Sequence, residues 1–277
     1  MQKELRLRIG SGIVLAIVVL VATWFGGLAF KALAVAISLL VYHEWSSMTR
    51  LAETDFRGNA FGWASVAAAG LSVLLDSGEW GLGIVLVSVA TSTVYSIVNG
   101  KDGWLPGGVA YAGLTALSLA EIRGNDMTGL IAMLFVFAVV WGTDILAYFV
   151  GRAVGGPKLA PRISPGKTWS GAIGGLVSAV IAGTALYSVF FPLTGLWVPF
   201  MAVVLSAFSQ IGDLFESFVK RRCGVKDSGR LIPGHGGVMD RVDGLVFACF
   251  AAFMLGLAQA LLTDNGASSI AAFVLGL

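Results

Sequence analysis

Between Asp213 and Asp243 the chain reads DLFESFVKRRCGVKDSGRLIPGHGGVMDRVD, with carboxylates and cationic side chains crowded into one stretch. Each type does a separate job. Carboxylates supply hard oxygen to Mg2+, which takes one or two of them and fills the rest of its shell with water and substrate phosphate. Lys220, Arg221, Lys226 and Arg241 supply donors to phosphate oxygens. Acid for a metal beside base for phosphate is the equipment of phosphoryl and nucleotidyl transfer. A helix through the first part puts Asp213, Ser217 and Lys220 on one face. A helix starting in the last part puts Asp240 and Asp243 one turn apart. Gly229, Pro233, Gly234, Gly236 and Gly237 between them read as a loop that brings the two helix ends together. Two or three carboxylates then converge at a membrane surface. Any one of these residues, such as Asp227 beside Lys226, can be read as solvated surface charge; the cluster as a whole resists that reading. His235, set in G-H-G-G, is either a turn residue or a phosphate donor or proton-transfer group.

Three further places hold polar residues in unusual settings. Asp144 lies inside an apolar run, where an acid is a functional candidate by default because a charge in hydrocarbon is costly. His43-Glu44 stands at the inner end of another run, where a packing role competes with a functional one. The segment S-P-G-K-T, residues 164–168, offers Ser164, Lys167 and Thr168 to phosphate. It is not a P-loop: Pro161 stands where that pattern needs glycine, and no strand is expected before it. Cys223 and Cys249 have no metal-ligand spacing, and neither a disulfide nor a zinc site is expected from them.

The elements that must position these residues follow from composition. The 277 residues are 57% hydrophobic and 12% charged, too few charges for a soluble domain. Apolar runs long enough to cross a bilayer predict an all-α polytopic membrane protein. Nine spans are expected, near 11–29, 32–48, 59–75, 80–98, 104–121, 127–150, 170–191, 196–213 and 243–262, with an interfacial tail from Ala267 to Leu277. The first, behind Lys3, Arg6 and Arg8, reads as a retained signal-anchor helix. With the N-terminus inside and the C-terminus outside, only Lys31 and Arg123 of the 18 lysines and arginines fall on the outer side, which is the positive-inside pattern. The long connections 151–169 and 214–242 are then cytosolic. The chain reads as one integral membrane domain: N-terminal helices to about residue 126, then a catalytic part over about 127–264. The lack of a long soluble extension ahead of the first span points to a bacterial plasma (inner) membrane. The glycine pairs Gly151/Gly155 and Gly171/Gly175 predict close helix packing. No internal repeat is evident, which disfavours an inverted-repeat transporter.

Residues 217–243 resemble the signature of the phosphatidate cytidylyltransferase (CDP-diacylglycerol synthase) family. That signature runs S-x-apolar-K-R, four residues, K-D-x-small, two residues, apolar, P-x-H-G-G-apolar-x-D-R-apolar-D. Ser217, Lys220, Arg221, Lys226, Asp227, Gly229, Ile232, Pro233, His235, Gly236, Gly237, Val238, Asp240, Arg241, Val242 and Asp243 fill every slot. The 164–168 turn, Asp144 and His43-Glu44-Trp45 also resemble the family, and the likeness is weakest over the first 130 or so residues. The resemblance implies that CTP and phosphatidic acid give CDP-diacylglycerol and pyrophosphate in phospholipid biosynthesis. It further implies Mg2+, a second cation (K+ or Mg2+) and a homodimer. Membrane lipid is the expected surrounding, and no nucleic-acid partner is expected. On this reading Asp213 and Asp240 hold metal, with Asp243 and Asp144 as further ligands or support. Lys220, Arg221, Lys226, Asp227, His235 and Arg241 are catalytic, while Ser164, Lys167, Thr168 and Ser217 bind substrate phosphate. Two rival classes, a CTP-dependent lipid kinase and a membrane transporter, share the many spans and the intramembrane acids.

Overall fold

In hydrocarbon a helix satisfies its own backbone hydrogen bonds, and the apolar runs of this chain take that solution. The computed structural model describes residues 2–76, 78–262 and 269–277, without the side chains of 2–9, 78 and 79. The Lys3, Arg6, Arg8 and Glu79 side chains and the Ala267 end of the tail lie outside the described residues. In chain order the elements are α1 (Gln2–Phe25), α2 (Gly27–Met48), α3 (Leu51–Thr54), α4 (Phe56–Leu74), α5 (Gly78–Val98), α6 (Trp104–Arg123), α7 (Met127–Val154), β1 (Lys158–Ala160), β2 (Ser164–Thr168), α8 (Trp169–Phe190), α9 (Trp197–Arg222), α10 (Met239–Leu262) and α11 (Ile270–Leu275). Among the described residues seven helices are long and apolar enough to cross a membrane: α2, most of α5, and α6 to α10. The apolar part of α1, Gly10–Phe25, is shorter, and α4 carries Arg57 and Asn59 near its start.

The chain divides into two compact units. One comprises Met1–Ala120 with Cys223–Arg241, the other Glu121–Arg222 with Val242–Leu277. The loop 223–241 groups with the N-terminal helices. The first three residues of α10 belong to the first unit and the rest to the second.

In the first unit, α2, α4, α5 and α6 meet around Val35, Ala69, Val73, Val85, Ala116 and Leu117. Polar groups inside this packing are satisfied locally, as burial requires. Ser46 donates to Asn59 Oδ1 at 2.7 Å, Ser38 to the Ala112 carbonyl at 2.6 Å, and the Trp45 indole to the Trp104 carbonyl at 2.8 Å. These bonds pin the C-terminal half of α2, the helix that carries Glu44. At its other end Lys31 is buried and forms an ion pair with Asp76.

In the second unit, α7 and α8 pack through glycine. A side chain on Gly171 would meet the Ala147 carbonyl at 2.7 Å and the Gly151 Cα at 3.2 Å, and one on Gly175 would meet the Thr143 carbonyl at 3.0 Å. Gly155 has another use: it ends α7 with φ 66°. The buried hydroxyls of Thr143 and Ser206 bond each other at 2.7 Å. Residues 158–168 form a small antiparallel hairpin, Lys158 opposite Thr168 and Ala160 opposite Ser164. The 164–168 segment expected as a turn is therefore a strand, set on an otherwise helical chain. Thr168 then caps α8, accepting from Gly171 N at 3.1 Å.

Candidate active site

The signature loop is folded by its glycines. Gly234 and Gly236 adopt φ of 78° and 85°, in the left-handed region that side chains resist. The turn is closed by Ile232 N to Gly236 O at 2.9 Å and His235 N to Ile232 O at 3.0 Å. Two carboxylates hold its ends. Asp240 Oδ2 accepts from Ser228 N, Ser228 Oγ and Gly237 N at 2.9, 2.9 and 2.8 Å. Glu44 on α2, 2% exposed, accepts from Val238 N at 2.7 Å, Met239 N at 2.8 Å and Ser228 Oγ at 2.9 Å. A hydroxyl carries one proton, so Ser228 serves one carboxylate at a time.

This fold leaves an open basin of about 580 Å³ whose charged lining is Lys226, Asp227, Arg230, His235 and Arg241. Lys226 and Arg230 of the loop and Arg241 of α10 are exposed cations of a kind suited to phosphate oxygens: Arg offers a planar fork of donors and Lys a point charge. His235 is held from behind. Ser11 on α1 lies 2.7 Å from His235 Nδ1 and donates to the Pro233 carbonyl at 3.1 Å. With its one proton given to Pro233, Ser11 accepts from Nδ1–H, so the neutral ring carries its proton on Nδ1 and gains the next on Nε2. A side chain on Gly12 would lie 3.6 Å from the same imidazole.

The second unit holds the other acids. Asp213 on α9 and Asp243 on α10 are hydrogen-bonded to each other through their side chains. Two carboxyls at that range have either a proton or a cation between them. They approach because Gly212 has no side chain: a Cβ there would stand 2.6 Å from the Asp243 carbonyl and 2.7 Å from Phe247. Lys167 from β2 forms an ion pair with Asp213, and Lys220 pairs with the buried Glu216 at 2.6 Å. Among the described residues no three His, Cys, Asp or Glu side chains are arranged to hold a metal. Two carboxylates suffice for Mg2+ when phosphates complete its shell, so the Asp213–Asp243 pair fits that ion.

The expected residues therefore sort into groups. Lys226, Asp227, His235 and Arg241 line the basin, and Asp240 is bound into the loop behind it. Asp213, Asp243, Lys167 and Lys220 cluster in the second unit. Ser217 lies half-buried on α9, and Arg221 is exposed near its end. Ser164 opens β2 half-buried, and the Thr168 hydroxyl is engaged as a helix cap. Asp144 is exposed on α7 beside exposed Trp141, Ile145 and Leu146. Sequence reasoning passed over Arg230, Ser228 and Ser11. Arg230 was visible as one more cation of the loop; Ser11 lies 224 positions from its partner and gave no local signal.

The Cytidylyltransferase family model matches residues 6–258. The phosphatidate cytidylyltransferase of Brucella abortus (biovar 1, strain 9-941) is 48% identical over 254 residues, covering 91% of this chain and 93% of the relative. That of Haemophilus influenzae is 36% identical over 282 residues, covering 88% and 96%. That of Bacillus subtilis is 33% identical over 266 residues, covering 92% and 98%.

Proposed function

The chain belongs to the cytidylyltransferase family, and from that premise we propose how its residues make CDP-diacylglycerol and pyrophosphate from CTP and phosphatidic acid, a step of phospholipid biosynthesis. The observation that carries the reaction is the near full-length likeness to phosphatidate cytidylyltransferases, with the signature loop folded into a cationic basin.

The phosphate monoester of phosphatidic acid is already anionic and needs no strong base. One of its oxygens attacks the α-phosphorus of CTP, a new P–O–P bond forms, and the bond from that phosphorus to the β-phosphate oxygen breaks. The electron pair leaves with pyrophosphate. Lys226, Arg230 and Arg241 hold the triphosphate and take up charge as it moves toward the leaving group. His235, protonated at Nε2, gives a further donor to a phosphate oxygen. In the second unit Lys167 and Lys220 are each held by a carboxylate. Mg2+, held by Asp213 and Asp243, would neutralise phosphate charge and orient the phosphoryl oxygens. Asp240, with one oxygen held by two loop amides and the shared Ser228 hydroxyl, is better suited to shaping the loop than to binding the ion.

The protein is an integral membrane protein, and its relatives are bacterial. We place the site on the cytosolic face, with nine spans, the N-terminus inside and the C-terminus outside. The charge pattern supports this: of the two cations assigned to the outer side, Lys31 is paired with Asp76, and Arg123 is buried and donates to the Asp126 carbonyl at 3.1 Å. A homodimer and a second cation, K+ or Mg2+, rest on the family resemblance alone.

Purified protein given CTP, phosphatidic acid and Mg2+ should release pyrophosphate and form CDP-diacylglycerol in equal amounts. Omitting the lipid or adding EDTA should stop both. Release of CDP without pyrophosphate would instead identify a kinase, and full turnover in EDTA would remove the divalent cation from the scheme.

A further inference from the structure

The signature loop begins α10, and the N-terminus of that helix needs partners for its first amides. An α-helix leaves its first four N–H groups without intrahelical acceptors. A cap residue of the same segment usually supplies one, but the residues preceding α10 are Gly236, Gly237 and Val238, none of which has a side-chain acceptor. The acceptor comes instead from α2. Glu44 is placed so that one oxygen takes Val238 N and the other takes Met239 N and Ser228 Oγ. It thereby touches both ends of the segment that carries Arg230 and His235.

The loop is built to admit this carboxylate. A Cβ on Gly237 would lie 2.4 Å from Glu44 Oε2 and 2.1 Å from Ser228 Oγ, and one on Gly229 would lie 2.7 Å from Glu44 Oε1. Glu44 is not among the residues lining the basin. Its charge is buried at 2% exposure, which is expensive unless hydrogen bonds compensate it. Two loop amides do so, with the Ser228 hydroxyl shared with Asp240, and α2 itself is pinned by Trp45 and Ser46, the two residues after Glu44.

We propose that Glu44 is a positioning residue for cytidylyl transfer: from α2 it anchors the start of α10 and the Ser228 end of the loop, and so fixes the basin cations without touching substrate. The inference rests on the reading of the basin as the CTP phosphate site, but its physical core does not. Loosened cations still attract a triphosphate through space, so binding suffers little. The arrangement that matches the moving charge of the transition state is what is lost, and misplacements of that kind cost on the order of 100-fold in rate.

The test uses the full chain in detergent or nanodiscs. In the wild-type protein, amide hydrogen exchange should show Val238 and Met239 protected to the level of helix interiors. Exchange as fast as in an open loop would overturn the proposal irrespective of activity. Glu44→Gln keeps the side chain's shape, so a space-filling role predicts wild-type kinetics. A role as anchoring anion predicts a kcat lower by about 100-fold, a KM for CTP within about threefold of wild type, and faster exchange confined to residues 226–241. Glu44→Asp, one methylene short, should behave like Glu44→Gln. Wild-type kcat with unchanged protection in Glu44→Gln would sink the idea. If the wild-type chain made no CDP-diacylglycerol, the functional reading would fail while the exchange result still judged the anchor.

Discussion

At the scale of single residues, the site pairs groups that were each visible in sequence with partners that were not. The carboxylates of Asp213 and Asp243 lie 30 positions apart, and only the fold shows that they bond each other while Asp240 Oδ2 accepts from the loop. Asp213→Asn or Asp243→Asn should each lower kcat by about 100-fold or more, and the double variant should be little worse than either, because the pair acts as one unit. Steady-state assays of the three proteins decide this; additive losses would mean separate roles. The hydroxyl of Ser11 makes a second residue-level prediction. The chain has two histidines, His43 and His235, so nitrogen-15 labelling of histidine gives a readable spectrum. With the rings neutral, His235 should show its proton on Nδ1, and Ser11→Ala should shift it toward the Nε2 form. An Nε2–H ring in the wild type would reverse the assignment. Neither Ser11 nor Glu44 was legible as a partner, because their bonds join positions 224 and 195 apart. No periodicity or motif encodes contacts of that span.

Secondary structure was legible to the extent that hydrocarbon dictates it. The apolar runs gave α5 and α7 their starts within two residues, and α6 and α10 most of their length. What escaped is the part governed by hydrogen bonds to distant groups. Residues 164–168 read as a basic Pro-Gly turn, yet they form a strand that pairs with 158–160. The start of α10 over Asp240 was expected, but not that Glu44 of α2 takes its first amide, Met239 N. Glycine spacing did announce the contact of α7 with α8. Replacing Gly171 by Leu should force these helices apart at the Ala147 carbonyl and cost about 1–3 kcal/mol, seen as earlier thermal unfolding. The same substitution at Gly195, which would meet nothing within 4 Å, should leave the unfolding temperature unchanged.

For the whole molecule, the expected concentration of lysine and arginine on one side of the membrane follows from composition and the bilayer alone. The proposed orientation can be tested with the chain's own thiols. Cys249 is fully buried, while Cys223 is partly exposed just beyond α9, on the side assigned to the cytosol. Burial pushes the Cys223 thiol above its usual range, so less of it is thiolate at neutral pH and labelling should speed up as pH rises. A membrane-impermeant maleimide should label inverted vesicles and spare right-side-out ones; the opposite pattern would reverse the topology. The basin also bears on direction of flux. It is an open, polar hollow of about 580 Å³ whose cations, on the proposed reading, hold phosphates rather than the base or sugar. Groups that hold the triphosphate of CTP hold free pyrophosphate by the same contacts. The product should therefore compete with CTP, and when supplied in excess it should drive CDP-diacylglycerol back to its precursors. An exchange of one phosphoanhydride for another offers little net driving force of its own. The committed step in the membrane then lies outside this protein, in whatever hydrolyses pyrophosphate in the surrounding water.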